Sequence, residues 1–185
     1  MAQPTDNGLV LHARQAPTTQ SIEINRREVS VIEDPRFDAY WAYVHHGQWE
    51  PQTFALLQTF VHPDAVVVDI GAWIGPTTLF AALHAKHVLA FEPDPEAFAM
   101  LQANVAANPT LAERITLSKA CISPTDGPVR MGSHSSETGG DGASSMLYAN
   151  SDVGWEVDGV RLQTALDRAG IAQVDVLKMD VEGAE

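Results

Sequence analysis

Two short, largely apolar runs, each ending at a chain reversal, constrain this chain more than any other feature. Val66-Val67-Val68-Asp69-Ile70 runs straight into Gly71, and Val88-Leu89-Ala90-Phe91 runs into Glu92-Pro93. Continuous, mostly branched runs of this length fit strands buried on both faces of a sheet. Between them, Pro76–Ala85 reads as a helix. After them, Asp94-Pro95-Glu96 reads as a helix start, with Asp as N-cap, Pro in the first turn and an acid at the positive dipole end. That helix runs to about Asn108-Pro109. Ile115-Thr116-Leu117 begins a third strand, Leu162–Ala169 is a short helix, and Val174–Met179 is a fourth strand. Strands and helices alternating in this way predict βαβ units, hence an α/β fold with a parallel sheet and flanking helices.

Three segments follow from the patterning. Residues 1–34 form a polar N-terminal arm, mobile or a small β addition, with apolar alternation only at Ile22/Ile24 and Val29/Val31. Residues 35–64 form a helical segment. Phe37, Tyr40, Trp41 and Val44 share one helix face, directed at the core or at a dimer partner, and Phe54, Leu57 and Val61 share a face of a second helix, Pro51–Val61. Residues 65–185 form the ligand-binding domain. Eleven Lys and Arg against 24 Asp and Glu give a net charge of −13, which repels a phosphate backbone and an anionic membrane alike. No apolar run reaches the roughly 18 residues of a spanning helix. The N-terminus lacks a basic segment followed by an apolar one, so a cytoplasmic location is expected. A single cysteine, Cys121, excludes an internal disulfide and any multi-Cys metal site, and it reads as a small buried hydrophobe. No metal is expected. His45-His46 reads as a solvated helix end, Asp126-Gly127 as a turn, and Gly132–Ser145 as a Gly/Ser-rich loop.

The chemistry concentrates where the apolar runs end, since ligands of an open parallel sheet bind beyond the C-terminal strand ends. Asp69-Ile70-Gly71-Ala72-Trp73-Ile74-Gly75 is an acid-led G-x-x-x-G turn between strand and helix. Glycine there lets the backbone approach a ligand, and the helix N-terminus beyond it offers free N–H groups. A leading acid would repel a pyrophosphate but suits a ligand with an ammonium group. Glu92 ends the second strand, where a carboxylate can accept both hydroxyls of a ribose diol. Together these describe an adenosine-type site, and the spacing favours S-adenosyl-L-methionine (SAM) over the G-x-G-x-x-G of NAD folds. In Val176-Leu177-Lys178-Met179-Asp180-Val181-Glu182-Gly183, Lys178 and Asp180 interrupt an apolar strand on one face. Buried charge of that kind marks either a site or a structural ion pair.

The runs VVVDIGAWIGPTTL, HVLAFEPDPEAFAMLQANVAAN and VDVLKMDVEGAE, in this order across Val66–Glu185, resemble the FkbM family of SAM-dependent methyltransferases. The resemblance implies a Rossmann-like class I methyltransferase fold, SAM as cofactor, and O-methylation of a hydroxyl on a sugar, glycan or secondary metabolite. It places Asp69, Gly71 and Gly75 at the methionine end of the cofactor, Glu92 at the ribose and Asp180 beside the sulfonium, with Ala72 and Pro93 among the other cofactor contacts. Gly142-Ala143-Ser144-Ser145 is similar to a Gly-x-Ser-Ser segment that brings Ser145 near the cofactor, and Trp49-Glu50 resembles a position that covers the site. Methyltransferases of this type continue beyond the fourth strand, so the C-terminal strands are expected to be missing here, leaving Val174–Met179 as an exposed apolar edge. Asp180 is the first candidate general base and Glu182 the second, with His134 a further alternative. Lys178 would hold a substrate carboxylate or neutralise Asp180. The competing functions are a non-catalytic domain that binds an adenosine ligand and an NAD-dependent oxidoreductase.

Overall fold

The structure, a computed structural model, describes residues 17–133, 144–150 and 152–184. Its centre is a four-stranded parallel sheet made of β3 (Val66–Ile70), β4 (His87–Phe91), β5 (Ile115–Ser118) and β10 (Val176–Met179), in the order β10-β3-β4-β5. The alternation of side chains along β3 and β4 gives each strand two apolar faces. Val67, Val88 and Ala90 enter one cluster of buried residues, while Val68, Ile70, Leu89 and Phe91 enter the other. The first cluster is covered by α3 (Pro76–His84) and α4 (Pro95–Ala106), with Leu111 and Ala112 of the short α5 (Pro109–Ala112) packed against it. The second is covered by α6 (Leu162–Ala169) through Ala165, with Leu162 and Leu166 packed against it. Helices thus lie on both faces, as the sequence predicts for a Rossmann-like sheet. β10 is an edge strand whose Leu177 and Met179 are exposed. Among the described residues no helix is long and apolar enough to cross a membrane.

The N-terminal segment, as far as it is described, is the β addition rather than a mobile arm. β1 (Thr19–Ile24) and β2 (Arg27–Ile32) form an antiparallel hairpin, and its alternating Ile22, Ile24, Val29 and Val31 are buried in the same cluster as α3 and α4. Two amides, Asn104 on α4 and Asn108 just beyond its end, fasten it. The Asn108 side chain accepts from Ser30 N–H and donates to Ser30 O, at 2.9 and 2.7 Å, in the manner of a neighbouring strand. Asn104, fully buried, accepts from Ile32 N–H at 2.8 Å and donates to Ile74 O at 2.8 Å, joining the hairpin to the glycine turn. The next two helices, α1 (Asp38–His45) and α2 (Pro51–Phe60), add Trp41, Val44 and Leu57 to the same cluster, with Phe37 at the N-cap of α1. His45 is more than a solvated helix end, because its Nδ1 accepts from Glu23 N–H at 2.9 Å.

A second sheet lies outside the sequence-based expectation. β6 (Cys121–Ile122), β7 (Gly127–Ser133), β8 (Ser144–Ser145) and β9 (Gly154–Val160) form it in the order β6-β9-β7-β8. Gly132, Ser133, Ser144 and Ser145 are therefore strand ends rather than loop. Residues 134–143 between them, His134, Gly142 and Ala143 included, lie outside the described residues. Asp126 is more than part of a turn. Its carboxylate accepts from Arg161 N–H at 2.8 Å and Thr164 Oγ1 at 3.2 Å, and pairs with the Arg161 guanidinium at 3.4 Å, so it pins the start of α6.

Candidate active site

The glycine turn is drawn over the end of β4 by its own backbone. The N–H groups of Gly71 and Ala72 both donate to Phe91 O at 3.0 Å, and Gly75 N–H closes the turn on Ala72 O at 2.9 Å. Gly71 has φ +75, and a Cβ there would collide with the backbone carbonyl of Asp180. This is a close approach between the turn and the segment after β10 that only glycine allows. The result is an open cavity of about 220 Å³ at the C-terminal end of the sheet, lined by Gly71, Trp73, Glu92, Ser145, Lys178 and Asp180, among others. This is the position a parallel sheet reserves for ligands.

Six of the residues expected at the cofactor are brought together in the lining of that cavity: Gly71, Ala72, Glu92, Pro93, Ser145 and Asp180. Glu182, the second candidate base, lines it too. Asp69 and Gly75 stand behind it. Asp69 falls on the α3 face of β3, almost fully buried. Its Oδ2 accepts from Thr77 Oγ1 at 2.7 Å and Thr78 Oγ1 at 2.6 Å, and its Oδ1 lies 3.3 Å from Lys178 Nζ. Gly75, at φ +101, starts α3, and a Cβ there would meet Leu101 Cδ1 of α4. The carboxylate read as a ligand for an ammonium group therefore anchors the turn instead. Strand alternation decides this, because the odd positions of β3 point to the helices.

Lys178 is registered beside Asp69 in the parallel ladder, and its Nζ reaches over β3 to donate to Gly71 O at 2.7 Å. Asp180 Oδ2 is 3.9 Å away from the same nitrogen. Burial alone would pull the Lys178 ammonium down, but the charges of Asp69 and Asp180 outweigh it and hold its pKa above the ordinary lysine value. Asp180 remains half exposed at the cavity mouth, with its N–H on Ile70 O at 3.0 Å.

Glu92 is buried, and each of its oxygens takes one backbone donor. Oε2 accepts from Trp73 N–H at 2.7 Å and Oε1 from Asp94 N–H at 2.8 Å. A carboxylate offers about four lone-pair directions, so roughly two remain unused on this cavity-lining residue. Burial pushes its pKa up from 4.5 to about 7, against the pull of the two N–H groups. The Asp94 carboxylate adds to the rise and Lys178 offsets part of it. A carboxyl raised in this way binds more protons folded than unfolded, so its contribution to stability falls as pH rises from 4.5 to about 7. Glu92→Gln is expected to abolish that fall, worth about 3 kcal/mol on the scale of 1.36 kcal/mol per pH unit. The check is urea unfolding of both proteins at about pH 5 and about pH 8: the variant should gain on the wild type at the higher pH. An equal pH dependence in the two proteins would show that Glu92 is not the titrating group.

The small β8 strand straps the mouth. Ser144 Oγ donates to Asp94 Oδ2 at 2.8 Å, while Ser145 Oγ donates to Val181 O and accepts from Leu147 N–H, both at 3.2 Å. Ser145 thus lines the cavity with its hydroxyl already engaged in holding the strap. Asp94, whose Oδ1 caps α4 at Glu96 N–H and Ala97 N–H, is the strap's other anchor, a second role that its cap pattern does not reveal.

Trp49 and Glu50, expected to cover the site, line the cavity, and sequence reasoning missed the two rings that complete this wall: Tyr40 and Trp73, with ring centroids 4.8 Å apart for Tyr40–Trp73 and 6.4 Å for Trp49–Trp73. Tyr40 therefore leaves the core stripe of Phe37, Trp41 and Val44. Cys121 is buried as expected and also lines the cavity, where burial, helped by the Glu92 charge, pushes its thiol up to about 11 and keeps it unreactive. Three described residues other than glycine that have left-handed backbone line this cavity: Glu50 (φ 39), Trp73 (φ 51) and Glu182 (φ 55). Such conformations cost on the order of 1–3 kcal/mol each and gather at functional sites. The positive φ at Trp73 turns its N–H onto Glu92, a signal no residue pattern carries. Among the described residues, no group of three or more His, Cys, Asp and Glu could hold a metal ion.

Comparison with known proteins matches residues 69–185 to the methyltransferase FkbM domain family. The 31-O-demethyl-FK506 methyltransferase FkbM of Streptomyces tacrolimicus is 33% identical over 68% of this chain. The chain spans 58% of that relative's length. Among solved structures, the tRNA m1G37 methyltransferase of M. jannaschii is 21% identical, covering 62% of this chain and 37% of its own, with a TM-score of 0.36. P. horikoshii TYW2 in complex with MeSAdo is 22% identical, covering 57% and 37%, with a TM-score of 0.37.

Proposed function

Because this chain belongs to the FkbM methyltransferase family, we propose that its cavity binds SAM and that the whole protein transfers the methyl group to a hydroxyl of a sugar, glycan or secondary metabolite. One observation carries this reading: Glu92 lines the cavity just past the end of β4 with a single backbone donor on each oxygen, which leaves it acceptor capacity for a ligand. That donor set suits a vicinal diol, so Glu92 would hold the ribose. Pro93, Ala120, Cys121, Ile122 and Met131 form an apolar lining beside it, suited to a flat base. The amino-acid end would then lie over the backbone of Gly71 and Ala72, where glycine leaves room for it. When bound, SAM supplies an electrophilic methyl group. The protein's work is then to align a nucleophile and to take up its proton, and alignment alone can supply ~7–11 kcal/mol. Asp180, at the mouth and 3.9 Å from Lys178 Nζ, would accept that proton, and Glu182 is the second candidate. The Streptomyces relative is named for an oxygen position, which favours a hydroxyl acceptor here. The net charge of −13 weighs against nucleic acid as the acceptor.

The test is calorimetry with S-adenosylhomocysteine together with methyl transfer to a panel of hydroxylated acceptors. Glu92→Ala is expected to weaken binding by about tenfold or more, the loss of a charge-assisted contact. Asp180→Ala should bind normally and transfer about a hundredfold more slowly, as for removal of a general base. Wild-type protein that gives no heat with S-adenosylhomocysteine would end this reading, and normal transfer by Asp180→Ala would remove Asp180 from the mechanism.

A further inference from the structure

We propose that Glu50 is the carboxylate that receives the ammonium group of the donor's amino-acid end. The proposal rests on the SAM reading above and assigns a role that Asp69 is not free to play. The donor's ribose separates its base from its amino acid. With the ribose on Glu92 and the base against the apolar lining, the amino acid lies toward Gly71 and Lys178. On that side the acceptors are nearly all engaged. Asp69 is behind the turn, outside the cavity lining, with Thr77 and Thr78 both on Oδ2 and Lys178 Nζ 3.3 Å from Oδ1, an ion pair without a hydrogen bond. The Gly71 carbonyl holds Lys178 Nζ at 2.7 Å, and Asp180 faces the same ammonium.

Glu50 is the exception. It sits at the N-cap of α2, yet its side chain makes no cap hydrogen bond, and Pro51 follows it at the first helical position. A shorter Asp or Ser is what a cap uses. Its backbone is held at φ 39, ψ 54, a conformation uncommon for a residue other than glycine. Glu50 lines the cavity with Tyr40, Trp49 and Trp73; Trp49, beside it in sequence, stacks on Trp73 at 6.4 Å, and Trp73 follows Gly71 by two residues, which sets Glu50 at the Gly71 side of the cavity. Glu182 also lines the cavity, next to Val181, whose carbonyl accepts from Ser145 Oγ. A carboxylate beside aromatic rings is suited to a cation, which the ring faces also attract.

The experiment compares S-adenosylhomocysteine with 5′-methylthioadenosine, which keeps the base, ribose and sulfur but lacks the amino acid. Both are titrated calorimetrically into the wild type and Glu50→Gln. The variant is expected to lose about tenfold in affinity for S-adenosylhomocysteine, consistent with a charge-assisted hydrogen bond, and to bind 5′-methylthioadenosine as the wild type does. The second ligand also shows that the variant is folded around an intact site. Unchanged affinity for S-adenosylhomocysteine would overturn the proposal, as would an equal loss for both ligands, which would make Glu50 a shaper of the cavity. Wild-type protein that binds neither would instead overturn the SAM reading on which the proposal stands.

Discussion

Gly71→Ala is expected to destabilise the chain by about 3 kcal/mol and to abolish ligand binding at the cavity. Two effects add. At φ +75 an alanine is strained whatever its surroundings, and its Cβ would overlap the Asp180 carbonyl, which belongs to the backbone and cannot swing aside. Relief requires the segment after β10 to move away from the turn, and that movement would draw Lys178 off the Gly71 carbonyl and Asp180 off the mouth. Gly170 provides the control. It has φ +67 at the end of α6, and a Cβ added there would meet nothing within 4 Å, so Gly170→Ala should cost only about 1 kcal/mol. Urea unfolding of the two variants measures the difference. Equal losses would mean that the contact with Asp180 does not constrain position 71.

Lys178→Met should be as damaging, at about 3–5 kcal/mol, for an electrostatic reason. Lys178 and Asp69 are a mostly buried pair, with side chains 13% and 2% exposed. Removing the ammonium leaves a carboxylate in the core with only two hydroxyls to compensate it, and it also frees the Gly71 carbonyl. The double variant Lys178→Met/Asp69→Asn removes the stranded charge, so it should recover a large part of the loss. A double-mutant cycle in urea separates pair from scaffold. If the double variant is no more stable than Lys178→Met alone, the charge on Asp69 is not what Lys178 compensates.

What can be read from the sequence is whatever local pattern determines. The continuous apolar runs locate β3 and β4, Asp94-Pro95 locates the start of α4 through its cap, and Leu162–Ala169 matches α6. Glu92 is found at the ligand edge because a strand end is a local property. The role of Asp69 is not legible, since its neighbours arise from which face of β3 it occupies and from the parallel register with Lys178, more than a hundred residues away in sequence. The second sheet escapes notice although Val129/Met131 and Trp155/Val157 alternate with Arg130, Glu156 and Asp158. The glycines and proline around those residues outweigh so short an alternation. Tyr40, Trp49 and Trp73 come from three separate segments, and only the tertiary fold brings their rings to one wall.

The amides of Asn104 and Asn108 carry a consequence for how this architecture can vary. Both are buried with β2 supplying groups for them, and without that hairpin each would lose partners on an otherwise apolar surface. Hairpin and amides are therefore gained or lost as a unit. A relative without the Thr19–Ile32 ribbon should carry nonpolar residues at both positions and would need another way to steady the carbonyl of Ile74. Covariation between an N-terminal extension and one helix becomes a marker of how firmly the glycine turn is held.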